Sequence, residues 1–216
     1  IGPCLKDVPN FYCVGLNYKK HAIETGLEIP KEPIIFSKAT SCISGPYDNI
    51  ILPLNSKKTD WEIELGVIIG EDCENVPENE VQSIISGYTI VNDISEREYQ
   101  LERGGQWIKG KSSKTFGPIG PYLISKDEIK NPNKLNLKLQ VNNKICQKSN
   151  TSDMIFSVFE VISYISSFLK LRCGDLISTG TPEGVGMGMK PQKFLKKGDE
   201  IISEIEGLGK QKQKVQ

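Results

Sequence analysis

The chain has 216 residues, enough for one sizeable domain with its own hydrophobic core, and we treat residues 1–216 as that single domain. Its 27 basic side chains (Lys and Arg) equal its 27 acidic ones, so no global field draws nucleic acid or an anionic membrane surface. No apolar run approaches the length that spans a bilayer, so we expect no membrane association.

Two features bear on the cellular compartment. The chain begins at Ile1 rather than Met, which leaves room for a missing N-terminal segment and any targeting peptide within it. Its six cysteines are widely spaced and include no C-x-x-C pair. This spacing argues against a zinc site and favours free, mostly buried thiols in a reducing compartment.

Short strands dominate the predicted elements. In chain order, segments that alternate or are apolar between turn residues predict strands at 11–18, 32–38, 62–70, 86–95, 117–125, 135–147, 174–181 and 199–209. The residues VNNK at 141–144 predict a tight hairpin turn. Helical periodicity predicts helices at 78–86 and 153–171, the second of them apolar on most faces and so deeply packed. The strands are not evenly interleaved with helices, so we expect a mainly β domain, α+β by count, rather than a doubly wound parallel sheet.

Two glutamates interrupt the apolar strand at 62–70. Glu62 and Glu64 are two positions apart and therefore point to the same face of a strand. Like charges held side by side repel unless a cation or a shared proton lies between them, although a solvated strand face would explain the pattern equally well. Asp93 ends another apolar strand, and three carboxylates could form an all-oxygen site for Mg²⁺, Mn²⁺ or Ca²⁺.

Basic residues and one histidine accompany these carboxylates in sequence. Arg97 follows Asp93 by four residues, and Lys111 lies in KGKSSKTFGP; each alone is more often a surface charge. The only histidine, His21, precedes Glu24 by three residues, a helical spacing at which the carboxylate can orient the imidazole. A lone histidine is more often structural than catalytic. The small-residue segment 179–186 would allow close backbone approach to a ligand.

Taken together, six motifs resemble those of the fumarylacetoacetate hydrolase family. In order they are G-x-N-Y-x-x-H-x-x-E, E-P-x-x-F-x-K, D-W-E-x-E-L, N-D-x-S-x-R, G-K-x-x-x-T-F-x-P-x-G-P and T-G-T-P-x-G-V-G. The resemblance covers essentially the whole chain. Within the family, the segments KEPIIFSK, GPYDNIILP, QWIKGK and KFLKKGDE are most similar to the fumarylacetoacetate hydrolase domain-containing protein 2 type.

The resemblance implies a mixed β-sandwich roll with a few peripheral helices, usually a homodimer, with one divalent metal ion per subunit. Glu62, Glu64 and Asp93 match the family's three metal-ligand positions. His21 and Glu24 match its water-activating pair, on a segment that closes over the substrate. The implied metal is Mg²⁺, with Mn²⁺ or Ca²⁺ as substitutes.

The same resemblance implies roles for five further residues. Lys111 matches a lysine that contacts a substrate oxygen, and Thr181 matches a threonine that reaches the bound acid. Lys38, Arg97 and Gln100 match residues that line the carboxylate end of the site.

Two positions depart from the family pattern. Lys114 stands where many relatives have an acidic residue, and Glu96 replaces a common alanine before the arginine. The charge reversal at Lys114 could change the outer pocket and therefore the substrate.

The family acts on 2-oxo and 1,3-diketo carboxylic acids, so the resemblance implies a small 2-oxo acid as substrate. We expect an oxaloacetate keto–enol tautomerase; a C–C bond hydrolase of the acylpyruvate or fumarylacetoacetate type and an oxaloacetate decarboxylase are the alternatives. An inactive binding homologue is a further alternative, although both the carboxylates and the His–Glu pair are retained. We expect an intracellular protein, mitochondrial in a eukaryote and cytoplasmic in a bacterium.

Overall fold

The computed structural model describes all residues, 1–216, as thirteen strands and four short helices. The strands are β1 Phe11–Gly15, β2 Ile34–Lys38, β3 Ile43–Ser44, β4 Thr59–Asp60, β5 Ile63–Ile69, β6 Ile85–Asn92, β7 Ser95–Glu96, β8 Gly117–Ser125, β9 Asn136–Val141, β10 Lys144–Asn150, β11 Leu176–Ser178, β12 Glu200–Ile205 and β13 Gly209–Lys214. The helices are α1 Lys19–Thr25, α2 Val81–Ile84, α3 Ile108–Lys111 and α4 Val158–Ser166. The longest helix, α4, has nine residues, and none of the helices could span a bilayer.

The strands form two main sheets around one core. The larger has the order β2-β1-β11-β5-β6-β8-β3 and is mostly antiparallel, and the smaller has the order β10-β9-β12-β13. A short antiparallel pair joins β4 to β7. Thirty-seven buried apolar residues form a single cluster. The predicted mainly β fold with a few helices is confirmed.

The predicted hairpin turn is confirmed between β9 and β10. Val141 pairs with Lys144, and the two residues between them have positive φ, 50° at Asn142 and 62° at Asn143. Asparagine tolerates this left-handed region better than most residues, which is why paired asparagines favour a tight hairpin.

The single strand predicted at 199–209 is wrong, because this region is the start of a second hairpin, β12 and β13. The second strand was missed because its inward positions are polar. Gln211 and Gln213 are fully buried, and the Gln211 amide donates to the carbonyl oxygens of Ile90, Pro118 and Gly120. Glutamine amides with hydrogen-bond partners thus occupy the inward positions of β13, where a hydropathy pattern would need apolar residues to detect the strand.

The helix predicted at 153–171 is shortened to α4. Ser157 caps its N-terminus by accepting from the Glu160 N–H, and the Glu160 carboxylate accepts from the Ser157 N–H. The helix does not start earlier, since the preceding backbone bonds to another segment: the Phe156 N–H donates to the Asn17 side chain. As predicted, α4 packs deeply through its apolar face, although Phe168 beyond its end is 68% exposed.

All six cysteines are free, as expected from their spacing. Only Cys13 and Cys42 are buried, three are half-buried and Cys173 is exposed, so the expectation of mostly buried thiols is wrong. Burial raises the pKa of the Cys13 thiol well above its ordinary value, and nearby Asp93 adds to the increase.

Candidate active site

The two glutamates of the apolar strand are buried. Strand β5 lies between β11 and β6, and all seven of its residues are buried, so neither face reaches solvent. Glu62 is 4% exposed and Glu64 is 2% exposed. The alternative of a solvated strand face is therefore wrong. Buried carboxylates need charged or hydrogen-bonding partners, and the surrounding residues supply them.

Asp93 joins this pair from the end of β6. Its side chain is fully buried, and its backbone N–H donates to the Glu62 carbonyl oxygen at 2.8 Å. One carboxylate oxygen from each of Glu62, Glu64 and Asp93 lies within 4.8 Å of the others. Three converging carboxylates from two adjacent strands form an oxygen-only donor set, which suits a hard divalent cation such as Mg²⁺ rather than zinc.

Two of these carboxylates have opposite pKa shifts. Burial raises the pKa of Glu64 to about 8, and the neighbouring charges of Asp93 and Glu62 add to the increase. Burial also acts on Glu62, but the positive charges of Lys111 and Arg97 outweigh it and hold the pKa of Glu62 below its ordinary value. The charged form of Glu64 is thus disfavoured by its burial and by the two neighbouring carboxylates. A bound cation would stabilise that charged form, so these residues fit a metal.

Three basic residues surround the carboxylates. Lys111 Nζ donates to Glu62 Oε2 at 2.7 Å and to Asp93 Oδ2 at 2.6 Å. Arg97 pairs with Glu62 Oε1 at 2.6 Å. Lys38 is completely buried, where its ammonium donates to Asp93 and to the Ile94 carbonyl oxygen. Lys38 therefore contacts Asp93 without lining the cavity itself.

The Asp60 carboxylate is the centre of a hydrogen-bond network that the sequence analysis did not predict. Its carboxylate is fully buried and accepts from Arg97 Nε at 2.9 Å. It also accepts from the backbone N–H groups of Gly186 at 2.7 Å and Met187 at 2.9 Å. Sequence reasoning missed this role, although the aspartate opens the D-W-E-x-E-L motif. Its position before the metal-ligand pair was the available signal.

His21 and Glu24 meet on helix α1, as the helical spacing predicts. His21 Nδ1 lies 2.9 Å from Glu24 Oε1, and the carboxylate also accepts from the Gly184 N–H at 2.9 Å. An ionised carboxylate only accepts hydrogen bonds, so Nδ1 carries the proton. In the neutral imidazole, Nε2 is then the basic nitrogen, and His21 is 6% exposed at the cavity wall.

The small-residue loop at 179–188 approaches both groups closely. Its backbone N–H groups bind Glu24 through Gly184 and Asp60 through Gly186. A Cβ atom on Gly188 would lie 2.7 Å from the Glu24 carboxyl carbon, which is closer than real Cβ atoms come. The sequence predicted that this backbone could closely approach a ligand. In the structure it closely approaches the side chains of Glu24 and Asp60.

Thr181 in this loop is held in place by β5 and β10. Its hydroxyl donates to the Ile63 carbonyl oxygen at 2.9 Å and accepts from Gln147 Nε2 at 2.8 Å. Gln147 is fully buried, and its other amide atom accepts from the Ile63 N–H. Sequence reasoning missed Gln147, because a single glutamine in an alternating strand carries no distinctive signal.

A cavity of about 60 Å³ brings most of the predicted residues together. Seven of them line it, namely His21, Glu62, Glu64, Arg97, Gln100, Lys111 and Thr181. Glu24, Lys38 and Asp93 lie directly behind this wall through the bonds described above. Most of the remaining wall is apolar and includes Phe36, Trp107 and Met187, none of which was predicted.

The two positions that depart from the family pattern lie outside the cavity wall. Glu96 is a fully buried residue of β7, and its carboxylate accepts from Ser56, from the Thr59 hydroxyl and from the Lys58 N–H. Lys114 is exposed. Lys114 therefore does not contact the cavity directly, so the structure offers no direct route for its expected influence on the pocket.

Comparison with known proteins gives the family of the chain. The sequence profile described as fumarylacetoacetate (FAA) hydrolase C-terminal matches residues 10–216. The chain belongs to this family. A protein of Burkholderia lata that carries only a provisional hydrolase name is 51% identical over 214 residues, which cover 99% of this chain and 76% of the relative.

Two solved structures of the family are similar over nearly the whole chain. A 2-hydroxyhepta-2,4-diene-1,7-dioate isomerase from Mycobacterium marinum is 36% identical with a TM-score of 0.84, and the match covers 96% of this chain and 74% of the isomerase. A fumarylacetoacetate hydrolase from Exiguobacterium antarcticum is 35% identical with a TM-score of 0.89, with the same coverage of 96% and 74%. The family thus includes both isomerases and hydrolases.

Proposed function

We propose that the protein is a Mg²⁺-dependent enzyme that acts on small 2-oxo carboxylic acids, with oxaloacetate keto–enol tautomerisation as its reaction. The observation that carries the proposal is the buried cluster of Glu62, Glu64 and Asp93 beside His21 and Lys111. The motifs that resemble the fumarylacetoacetate hydrolase domain-containing protein 2 type favour oxaloacetate among the substrates.

Glu62, Glu64 and Asp93 would hold the cation. When bound, a divalent ion there would supply Lewis-acid polarisation of a 2-oxo group. Lys111 would place its ammonium charge at an oxygen that gains negative charge as the enol forms. Arg97 and Gln100, which hydrogen-bond to each other at 3.0 Å, would bind the substrate carboxylate.

The proton transfer falls to residues of the chain itself. Tautomerisation removes a proton from carbon 3 of oxaloacetate and returns one to the oxygen, or the reverse. His21 Nε2 is oriented for this transfer because Glu24 holds the proton on Nδ1. Lys111 is the second candidate, although Asp93 and Glu62 outweigh burial and raise its pKa, which favours its charged form.

The second candidate reaction is C–C bond hydrolysis of acylpyruvates. It is favoured by the His21–Glu24 pair, which is the arrangement that a general base needs to activate a water molecule. The similarity to the E. antarcticum fumarylacetoacetate hydrolase also supports it. Oxaloacetate decarboxylation needs the same polarised 2-oxo group and no water, and it is the third candidate.

A substrate panel tests the proposal. Purified protein with saturating Mg²⁺ is assayed on oxaloacetate enol, acetylpyruvate and fumarylpyruvate, with keto–enol conversion, cleavage and pyruvate release followed separately. We expect the largest kcat/KM for oxaloacetate tautomerisation, and its loss in Glu62→Gln. Faster cleavage of either acylpyruvate would replace the tautomerase with the hydrolase, and no turnover in any assay would favour a binding homologue.

A further inference from the structure

A second, larger groove of about 950 Å³ lies outside the candidate active site. Its walls come from residues 52–61, from the β9–β10 hairpin and from residues 189–199. None of the three clustered carboxylates lines it, and neither does His21. The groove therefore needs an explanation of its own.

The groove carries positive charge that the chain does not neutralise. Five lysines line it, and none of them takes part in an ion pair: Lys57, Lys144, Lys193, Lys196 and Lys197. The one acidic residue of the groove, Asp199, forms no ion pair with these lysines and has other hydrogen-bond partners. It accepts from the Asn142 amide and from the Lys196 backbone N–H, both at 2.8 Å. Clustered charge of one sign in a concave surface attracts a ligand of the opposite sign.

The rest of the groove wall is largely apolar. Trp61, Leu52 and Phe194 line it, and the Trp61 indole N–H is used internally, donating to the Gly184 carbonyl oxygen at 3.1 Å. Trp61 therefore offers no polar atom to an occupant. A highly hydrated inorganic anion would gain nothing from this apolar wall, whereas a ligand with an aromatic or aliphatic part would bury surface there.

The size and chemistry of the groove specify its ligand. Its volume lies in the range of small-molecule pockets, roughly 300–1,000 Å³. We propose that the groove binds a small organic polyanion, a molecule with at least two phosphate or carboxylate groups attached to an aromatic or apolar body.

Hydrogen bonds connect the wall of this groove to the loop at 179–188 of the candidate active site. The Lys193 N–H donates to the Gly186 carbonyl oxygen at 3.0 Å, and the Gly186 N–H binds Asp60 at 2.7 Å. Trp61 binds Gly184, whose N–H holds Glu24. Two residues that line the groove, Trp61 and Lys193, are thus hydrogen-bonded to the loop that also holds Glu24 and Asp60.

Titration calorimetry at constant free Mg²⁺ tests the proposal. Four probes separate the chemical sources: ATP as an organic phosphate, benzene-1,3,5-tricarboxylate as an organic carboxylate, tripolyphosphate without an apolar part and adenosine without charge. We expect ATP or the tricarboxylate to bind at least tenfold more tightly than tripolyphosphate, and adenosine not to bind.

Paired charge-removal variants locate the binding. The double variant Lys196→Gln/Lys197→Gln should weaken binding of the preferred probe about tenfold, as expected for the loss of two solvent-exposed charge pairs. The control Lys130→Gln/Lys134→Gln removes the same charge from exposed lysines outside the groove and should change the affinity less than twofold. Equal affinities in the two double variants, or no measurable binding of either organic polyanion, would overturn the proposal.

Discussion

His21 and Lys111 both line the candidate cavity, but their partners suit them to different steps. His21 is oriented by Glu24 and keeps one ring nitrogen free of hydrogen bonds, whereas the Lys111 ammonium bridges Glu62 and Asp93. A group held between two carboxylates stabilises charge, and a group with a free basic nitrogen moves protons.

Substituting each residue should therefore separate proton transfer from charge stabilisation. A positioned general base contributes about 10²–10⁴-fold to a rate, so His21→Asn should lower any C–C hydrolysis by that factor and leave metal affinity nearly unchanged. Glu24→Gln should cause a smaller loss in the same direction. Tautomerisation should fall in both His21→Asn and Lys111→Met, because the first loses the proton-transfer group and the second loses the charge that stabilises the enol oxygen. Both variants are assayed on both substrates with saturating metal; unchanged hydrolysis in His21→Asn would eliminate it as the base.

Asp60 should matter for stability as well as for the site. In Asp60→Asn an amide NH₂ would face the N–H groups of Gly186 or Met187, and Arg97 would lose a buried charge partner. Removing one member of a buried ion pair costs about 3–5 kcal/mol, so urea unfolding should show a loss of about 3 kcal/mol. Asp153→Asn, at an exposed position, should lose less than about 1 kcal/mol. Equal losses in the two variants would contradict a structural role for the Asp60 network.

Among the elements, the loop at 179–188 connects the parts of the site. It follows β11 and places backbone N–H groups against Glu24 on α1 and Asp60 on β4. Its glycines permit this approach, since a Cβ at Gly186 would lie 2.8 Å from Asp60 Oδ1. The loop thus sets the position of the histidine's partner.

Gly188→Ala tests this function of the loop. The added methyl would meet the Glu24 carboxylate, so Glu24 must shift and His21 loses its orientation. We expect kcat to fall about tenfold, within the range over which a general base contributes. In a Glu24→Ala background the same change should have almost no further effect, because the clash is gone. Additive losses in the double variant would show that Gly188 acts through something other than Glu24.

The sequence predicted those parts of the site in which chemically reactive residues are spaced by the local period of a strand or a helix. The alternation of Glu62 and Glu64 in an apolar run, and the spacing of His21 and Glu24, predicted two arrangements that the structure brings together. β13 was not predictable from hydropathy, because its buried side chains are glutamines that satisfy distant carbonyl groups. Such long-range hydrogen bonds leave no periodic signal in the sequence.

At the scale of the whole molecule, residues far apart in sequence converge on one cavity. His21 comes from α1, Glu62 and Glu64 from β5 and the residue before it, Lys111 from the end of α3 and Thr181 from the loop after β11. Sequence order alone predicted their association only through the family resemblance, because distances between separate strands depend on the complete sheet order.

We propose that the protein assembles as a homodimer, following the family resemblance. Light scattering coupled to size exclusion should then give a mass of about twice the 24.0 kDa of the chain. The mass should not change between low and moderate protein concentration. A mass of one chain at micromolar concentration would contradict the dimer but not the proposed active site, because the residues given catalytic and metal-binding roles all belong to one chain.

The central claim is that Glu62, Glu64 and Asp93 together hold one divalent cation. Its most direct test is Mn²⁺ binding to chelator-treated protein, followed by electron paramagnetic resonance with Mg²⁺ as competitor. The account predicts one Mn²⁺ ion per chain for the wild type, displacement by Mg²⁺ and at least tenfold weaker binding in Asp93→Asn, with Asp127→Asn, at an exposed position, unchanged. Equal Mn²⁺ affinity in the wild type and Asp93→Asn would contradict it.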